Sequence, residues 1–375
     1  MALRLDDWWL WDSWVVDDGE RYHLFSLRAP RSLGDVERRH TAAVVGRASS
    51  TDLVTWTDHG VCFEPARGDE APGFDDLAVW TGSVVHDGER WRMFYTGVSG
   101  AGHHVYDQRV GCAVSDDLQH WRRTSREPQV HPDSRWYTTL ATRPGPTSGP
   151  DVERSSETWR DPLVRRGPGG GGWHMLLSAR AAGAERNDDG VVAHATSDDL
   201  EHWELREPLT APGAGFGQLE VLQHAVVDGR SVLVFTCHPA EMAPARLEQA
   251  LAAGGACLWS VPAPADDPAC GLLGPWDVSA ARPVAGVDPQ LFAAPLVQRR
   301  DGSWVLLGFR NLVPAPGAAA LPGEDDGFEI GDPVAVTTDA QGYLVARRAL
   351  GGQTRTGESR VAGCPPGEDS PCQLE

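Results

Sequence analysis

The chain repeats itself, and that repetition constrains the fold before any single motif is weighed. Five segments share one layout: "WDSWVVDDGERYHLFSL" from Trp11, "WTGSVVHDGERWRMFYTG" from Trp80, "WRDPLVRRGPGGGGWHMLLSAR" from Trp159, "LEVLQHAVVDGRSVLVFTC" from Leu219 and "FAAPLVQRRDGSWVLLGFRN" from Phe292. Each has a short apolar strand, a turn rich in Asp-Gly or Gly, and a second strand of β-branched and aromatic residues, which is the pattern of a β-hairpin. The turn glycines Gly19 and Gly302 stand four repeats apart, setting a period of about 71 residues. A second element follows the hairpins: "SSTDLVTW" at Ser49, "VSDDLQHW" at Val114 and "TSDDLEHW" at Thr196, with "VTTDAQGY" at Val336 as a weaker copy. Its frame, Ser-x-Asp-Leu-x-x-Trp, reads as a strand end, a tight acidic turn and an aromatic that packs back on the sheet.

A hairpin plus outer strands, repeated radially, predicts an all-β fold: a five-bladed β-propeller with four-stranded antiparallel blades around a central funnel. A doubly wound α/β fold needs helices between the strands, and the only good helical stretch is "PARLEQALAAGG", with Pro244 at its start and Gly254 at its end. A β-sandwich remains the alternative. No linker divides the chain, so residues 1–350 read as one propeller domain and residues 351–375, rich in Gly, Pro and Glu, as a C-terminal tail.

Composition narrows the partners. With 33 basic against 53 acidic residues the formal charge is −20, which repels phosphate backbones and anionic membranes, so nucleic acid and membrane are not expected partners. No stretch reaches the roughly 18 apolar residues of a membrane span, and the first thirty residues hold no signal-like apolar run; a soluble cytoplasmic protein is expected. The seven cysteines lack CxxC spacing and read as small buried hydrophobes, although Cys364 and Cys372 stand close enough in "CPPGEDSPC" to pair. Nothing calls for a cofactor or a structural metal. The acidic run "GEDDGFEIGD" near Asp325 has the charge to hold calcium but lacks EF-hand spacing and reads as a solvated loop, and His103, His104 and Tyr106 read as exposed loop residues, with a rim of the site or a metal-ligand pair as the alternatives.

In a propeller the innermost strand of each blade lines the channel, so equivalent positions of the repeats converge. At that level the first repeat offers Asp12, the second Thr81 and Ser83, the third Asp161 and the fourth Glu220; the fifth offers no acid. An aspartate ahead of a strand is commonly a turn or cap residue, and Asp161 also has Arg160 beside it as a structural partner. Three acids in one register across three repeats point instead to a shared site. Clustered carboxylates raise one another's pKa, and a protonated and an ionised carboxyl together are what glycosidic bond cleavage requires. Among the 15 tryptophans, Trp8, Trp9, Trp11, Trp14 and Trp80 offer faces on which a sugar ring can stack.

At these residues the sequence resembles a known group. "WDSW" is similar to the nucleophile motif of glycoside hydrolase family 68, the levansucrases and inulosucrases, and "WRDP" to the Arg-Asp-Pro motif that family 68 shares with family 32, the invertases and levanases. The resemblance implies a retaining β-fructofuranosidase or fructosyltransferase acting on a small fructoside, on a five-bladed propeller. It implies Asp12 as nucleophile, Asp161 as transition-state stabiliser, Glu220 in "GQLEVLQ" as general acid/base with its pKa raised by its neighbours, and Trp11, Trp80, Thr81 and Arg160 as contacts to the fructosyl unit. Gln218 replaces a further carboxylate of family 68, and His238 in "TCHPAEM" stands near an expected arginine; both are candidate substrate contacts. The absence of a β-sandwich after the propeller resembles family 68 more than family 32. An inverting furanosidase like those of family 43 and a propeller that binds carbohydrate without cleaving it are the alternatives.

Overall fold

The computed structural model describes residues 3–68, 73–100, 107–143, 157–264, 271–310 and 328–347. Each hairpin of the repeat forms the two inner strands of a four-stranded sheet. The first blade is β1 (Trp8–Asp17), β2 (Tyr22–Pro30), β3 (Val44–Ser50) and β4 (Thr57–Phe63); the second is β5 (Ala78–His86), β6 (Trp91–Ser99), β7 (Asp107–Ser115) and β8 (Arg122–Arg123). The third is β9 (Trp159–Arg166), β10 (Trp173–Arg180), β11 (Gly190–Ser197) and β12 (Glu204–Arg206); the fourth is β13 (Glu220–Val227), β14 (Arg230–Thr236), β15 (Leu258–Pro262) and β16 (Arg282–Pro283). The fifth is split. A short pair, β17 (Leu291–Phe292) with β20 (Phe309–Arg310), sits above the four-stranded sheet β18 (Leu296–Gln298), β19 (Trp304–Leu306), β21 (Val334–Thr338) and β22 (Leu344–Ala346). The strands in each sheet run antiparallel in sequence order, as the repeats predict.

The first strands of neighbouring blades contact each other in turn, β1 with β5, β5 with β9, β9 with β13 and β13 with β18, and β1 meets β20 to complete the ring. Closure uses the chain's beginning: the Leu3 and Ile330 backbones exchange hydrogen bonds of 2.8 and 3.1 Å, and Ile330 also pairs with Phe309, so Leu3 covers an edge that would otherwise be open. The cores lie between blades. Leu163, Leu176 and Val192 of the third pack with Leu222, Phe235 and Trp259 of the fourth, while Phe94 and Cys112 of the second pack with Val164, Met175 and Val191 of the third. The helix forms at Pro244–Ala252, outside the ring of strands.

The Ser-x-Asp-Leu-x-x-Trp frame builds the same corner three times, between the third and fourth strands of the first three blades. Asp52 Oδ1 accepts from the backbone N–H groups of Val54 and Thr55 at 2.8 and 2.7 Å, and Asp117 and Asp199 accept equivalently from Gln119 and His120 and from Glu201 and His202. Those bonds hold the intervening leucines in the left-handed region, at φ of 63°, 63° and 65° for Leu53, Leu118 and Leu200. Each leucine is buried, and Trp121 and Trp203 turn edge-on to Phe25 and Phe94 as the frame predicts.

Cys112, Cys237 and Cys257 are buried free thiols and Cys62 is partly buried; burial pushes Cys62 and Cys257 up to about 12 and Cys112 to about 11, so they behave as small hydrophobes. The expectations for Cys364 and Cys372, for His103, His104 and Tyr106, for Asp325 and for the tail fall outside the described residues. Among the described residues no helix is long and apolar enough to cross a membrane.

Candidate active site

One feature of the inner strands shapes the channel floor. β1, β5, β9 and β13 each carry a bulge at the same height, at Asp12, Thr81, Asp161-Pro162 and Val221-Leu222, and the fifth blade breaks between β17 and β18 at the equivalent point. Asp12, Asp161, Val221 and Ala293 have φ of 30°, 58°, 50° and 43° there. A bulge reverses the alternation of side chains and re-aims the residue that carries it, which is why bulges gather beside active sites. The strain is largest in kind for Val221, whose β-branched side chain disfavours this conformation most.

The bulges gather the sequence candidates with one correction of register: the fourth-blade equivalent of Asp12 and Asp161 is Val221, and Glu220 stands one residue earlier, level with Trp11 and Arg160. A cavity of about 200 Å³ is lined by Trp11, Asp12, Trp80, Thr81, Arg160, Asp161, Gln218, Glu220 and His238, together with Glu37, Arg39, His40 and Glu241. The nine candidate catalytic and substrate-contact residues are therefore in its wall, whereas Trp8, Trp9, Trp14 and Ser83, also offered by the sequence, are not. Asp12 Oδ2 accepts from the Thr81 hydroxyl at 2.5 Å. Asp161 Oδ2 accepts from the Ser178 hydroxyl at 2.9 Å and the Val221 N–H at 3.1 Å, and the Asp161 N–H donates to Thr96 Oγ1 at 3.0 Å. Arg160 bridges two of the acids: its Nη2 donates to Glu220 Oε1 at 2.5 Å and to the Gln218 side-chain oxygen, while its Nε lies 3.6 Å from Asp161 Oδ2. The guanidinium is thus bonded most closely to Glu220 and Gln218, and Asp161 is held mainly by neutral donors.

Asp12 is the electrostatic outlier. Burial pushes its carboxyl up to about 7, Asp161 adds to the rise, and the Thr81 hydroxyl, Arg39 and Arg160 oppose it. Near neutral pH this group exchanges its proton, a property shared by many catalytic carboxyls.

His238 caps the turn Pro239–Glu241, its Nδ1 accepting from the Ala240 N–H at 3.1 Å. That bond places the proton of the neutral ring on Nε2, so His238 presents a donor where a guanidinium would have presented several. Trp80 donates its indole N–H to the His40 carbonyl at 2.7 Å, which fixes the ring plane at the cavity wall.

Four lining residues escape sequence reasoning. Glu37, Arg39 and His40 come from the helical turn Val36–Thr41 between β2 and β3, a segment outside both repeated elements. Arg39 is 6% exposed; its guanidinium lies 4.8 Å from the Phe328 ring centre and 5.7 Å from that of Trp11, and its Nε is buried without a hydrogen-bond partner among the described residues. Glu241 is buried against Arg180, 2.9 Å away, with its Oε1 unbonded among the described residues. Its only sequence signal is its place three residues after His238 in "TCHPAEM". Among the described residues no group of three or more His, Cys, Asp or Glu is arranged to hold a metal.

Known proteins resemble this chain in sequence and in fold. Residues 14–254 match the family model described as the glycosyl hydrolases family 32 N-terminal domain. Two curated relatives are the fructan 6-exohydrolase of Beta vulgaris, 24% identical over 48% of this chain and 26% of its own length, and the sucrose-6-phosphate hydrolase of Bacillus subtilis, 27% identical over 53% and 33%. The aligned part therefore spans a third or less of those relatives. Among solved structures, the inulosucrase from Halalkalicoccus jeotgali bound to kestose superposes with a TM-score of 0.67 at 23% identity, covering 91% of this chain and 88% of its own. The family 32 β-fructofuranosidase of Bombyx mori superposes with a TM-score of 0.64 at 16% identity, covering 91% and 63%. These likenesses establish the propeller fold, and the family model, covering well over half of the sequence, adds the lineage: the chain belongs to glycosyl hydrolase family 32.

Proposed function

We propose that this protein cleaves the fructosidic bond of sucrose or a short β-fructoside with retention, through a covalent fructosyl intermediate on Asp12 that water, or a second sugar, resolves. The observation that carries the proposal is the floor of the cavity, where Asp12, Asp161 and Glu220 from three blades meet and Arg160 ties the last two together. In the first step the Asp12 carboxylate attacks the anomeric carbon, the bond from that carbon to the leaving oxygen breaks, and Glu220 gives its proton to that oxygen. In the second, Glu220 takes a proton from water as the water attacks the same carbon, and the Asp12–sugar bond breaks. Asp161 hydrogen-bonds the ring hydroxyls, with its carboxylate oriented by Ser178 and the Val221 N–H. Trp11 and Trp80 supply apolar faces beside the fructosyl unit, and Thr81, Gln218 and His238 complete its polar contacts.

The proposal takes the catalytic domain to be the propeller of residues 1–350 and the cytoplasm to be its place of action, where the free thiols Cys62, Cys112, Cys237 and Cys257 stay reduced. The test is to incubate the protein and Asp12→Asn with sucrose, short inulin and levan oligosaccharides and an arabinofuranoside, following released sugars by NMR. Fructose released by the wild type alone, first as the β-anomer, is the expected result. Release of the inverted anomer overturns the retaining mechanism, and arabinose alone or no product from any substrate overturns the fructosidase reading.

A further inference from the structure

Beneath the ring of bulges the channel continues into a second cavity of about 260 Å³, which shares Thr81, Asp161 and Val221 with the first. It is lined by the lower halves of all five innermost strands, including Trp14, Asp17, Ser83, Arg165, Gln223, His224 and Gln298. None of its own groups enters the proposed reaction.

Its polar inventory is one-sided. Among the described residues Arg165 makes one hydrogen bond, from Nη1 to the Val164 carbonyl at 3.0 Å, and no carboxylate lies within ion-pair distance of it. Trp14 is 4% exposed, and its indole N–H is buried with no acceptor among the described residues. Ser83 Oγ accepts from the Val164 N–H at 3.0 Å, which leaves its own hydroxyl hydrogen to donate. The acids in the wall are already engaged: Asp17 holds Arg300 at 2.7 Å, and Asp161 accepts from Ser178 and Val221. His224 carries no balancing charge, since burial lowers it to about 4 and its Nε2 meets Ser231 Oγ at 2.8 Å. Burial also lowers Arg165, to about 10, which still leaves it a cation at neutral pH.

A guanidinium without a counter-ion and an indole N–H without an acceptor, in one cavity, are unsatisfied groups that an anion would satisfy. We propose that the rear half of the channel is a binding site for a small inorganic anion, held by Arg165 with Trp14 and Ser83 as further donors. The planar fork of Arg165 suits two oxygens of one tetrahedral oxyanion, so phosphate and sulfate are the preferred occupants over chloride.

Calorimetric titration of the full chain with phosphate, sulfate and chloride tests this, at an ionic strength held constant with a sulfonate too bulky for the cavity. Saturable binding of one oxyanion per chain is expected, weakened at least tenfold by Arg165→Met, severalfold by Trp14→Phe, and less by Arg165→Lys than by the methionine. Circular dichroism checks each variant's fold; should Arg165→Met not fold, Trp14→Phe and Arg165→Lys decide. The absence of saturable binding by the wild type overturns the site. So does binding that survives in the Arg165 and Trp14 variants, or that is lost in Arg39→Met instead, because the anion would then sit in the front cavity.

Discussion

The acidic corners of the blades and the bulges of the channel floor hold residues in the same unusual backbone conformation by opposite means. At the corners Leu53, Leu118 and Leu200 sit at φ near 63° because an aspartate one residue earlier accepts two backbone N–H groups and a buried leucine side chain anchors the turn. Everything needed lies within seven residues, and three copies in three blades are nearly superposable in their bonding. At the bulges Asp12, Asp161 and Val221 adopt φ of 30°, 58° and 50° with partners from other blades: Thr81 for Asp12, Thr96 for the Asp161 N–H, and Asp161 itself for the Val221 N–H. The corners repeat residue and geometry together, whereas the bulges repeat geometry and vary the residue. Local hydrogen bonding suffices to make a scaffold turn; a site that must point three different acids at one spot relies on the ring to hold them.

The largest effect that separates the two regions is expected from Asp12→Asn. Losing the proposed nucleophile should cost at least about a thousandfold in kcat, on the order of 4 kcal/mol of barrier. The same change should stabilise the fold. A carboxyl raised to about 7 in the folded chain from 3.8 binds its proton more tightly when folded, so its penalty is absent below about pH 4, grows as pH rises, and is complete above pH 7. Denaturant unfolding at pH 8 should therefore show Asp12→Asn more stable by up to about 4 kcal/mol, with the gain vanishing near pH 4. A variant that is inactive and less stable at pH 8 would mean the floor carries no such strain.

A smaller effect sharpens the link between blades. Since the Thr81 hydroxyl lowers the Asp12 carboxyl, Thr81→Val should move the acid limb of kcat/KM upward from about pH 7. In the wild type that limb should fall about tenfold per pH unit below its midpoint, as the nucleophile takes up its proton. A limb unmoved by Thr81→Val would assign it to another group.

The smallest effect belongs to the corners. Asp117→Ala removes acceptors for Gln119 and His120 and should cost about 1 kcal/mol of stability while leaving kcat/KM and its pH profile unchanged. A kinetic change there would break the division between scaffold and site.

How much was legible follows the same line. The corner motif, the hairpin turns and the helix at Pro244–Ala252 are written in contiguous residues, so their positions could be read directly. Asp12, Thr81, Asp161 and Glu220 could be brought to one end of the channel because the positions of a repeat converge in a ring, whereas Arg160, Gln218 and His238 were singled out only by the family resemblance. Arg39, Glu37 and His40 could not: they lie in a non-repeated turn, and nothing local says that it folds over the funnel. Glu241 was hidden likewise, its partner Arg180 lying far away in sequence.

By itself the sequence determined the number of blades, their strand order and that Asp12 and Asp161 share a level, because periodicity and turn chemistry act over short distances and a repeat imposes symmetry. Only the tertiary structure decided where Arg160 bonds, which carboxyl is pushed toward 7, and that Arg165, below the bulges, has no carboxylate within ion-pair distance among the described residues. Those properties depend on burial and on distances between blades, and neither is encoded in any one segment of the chain.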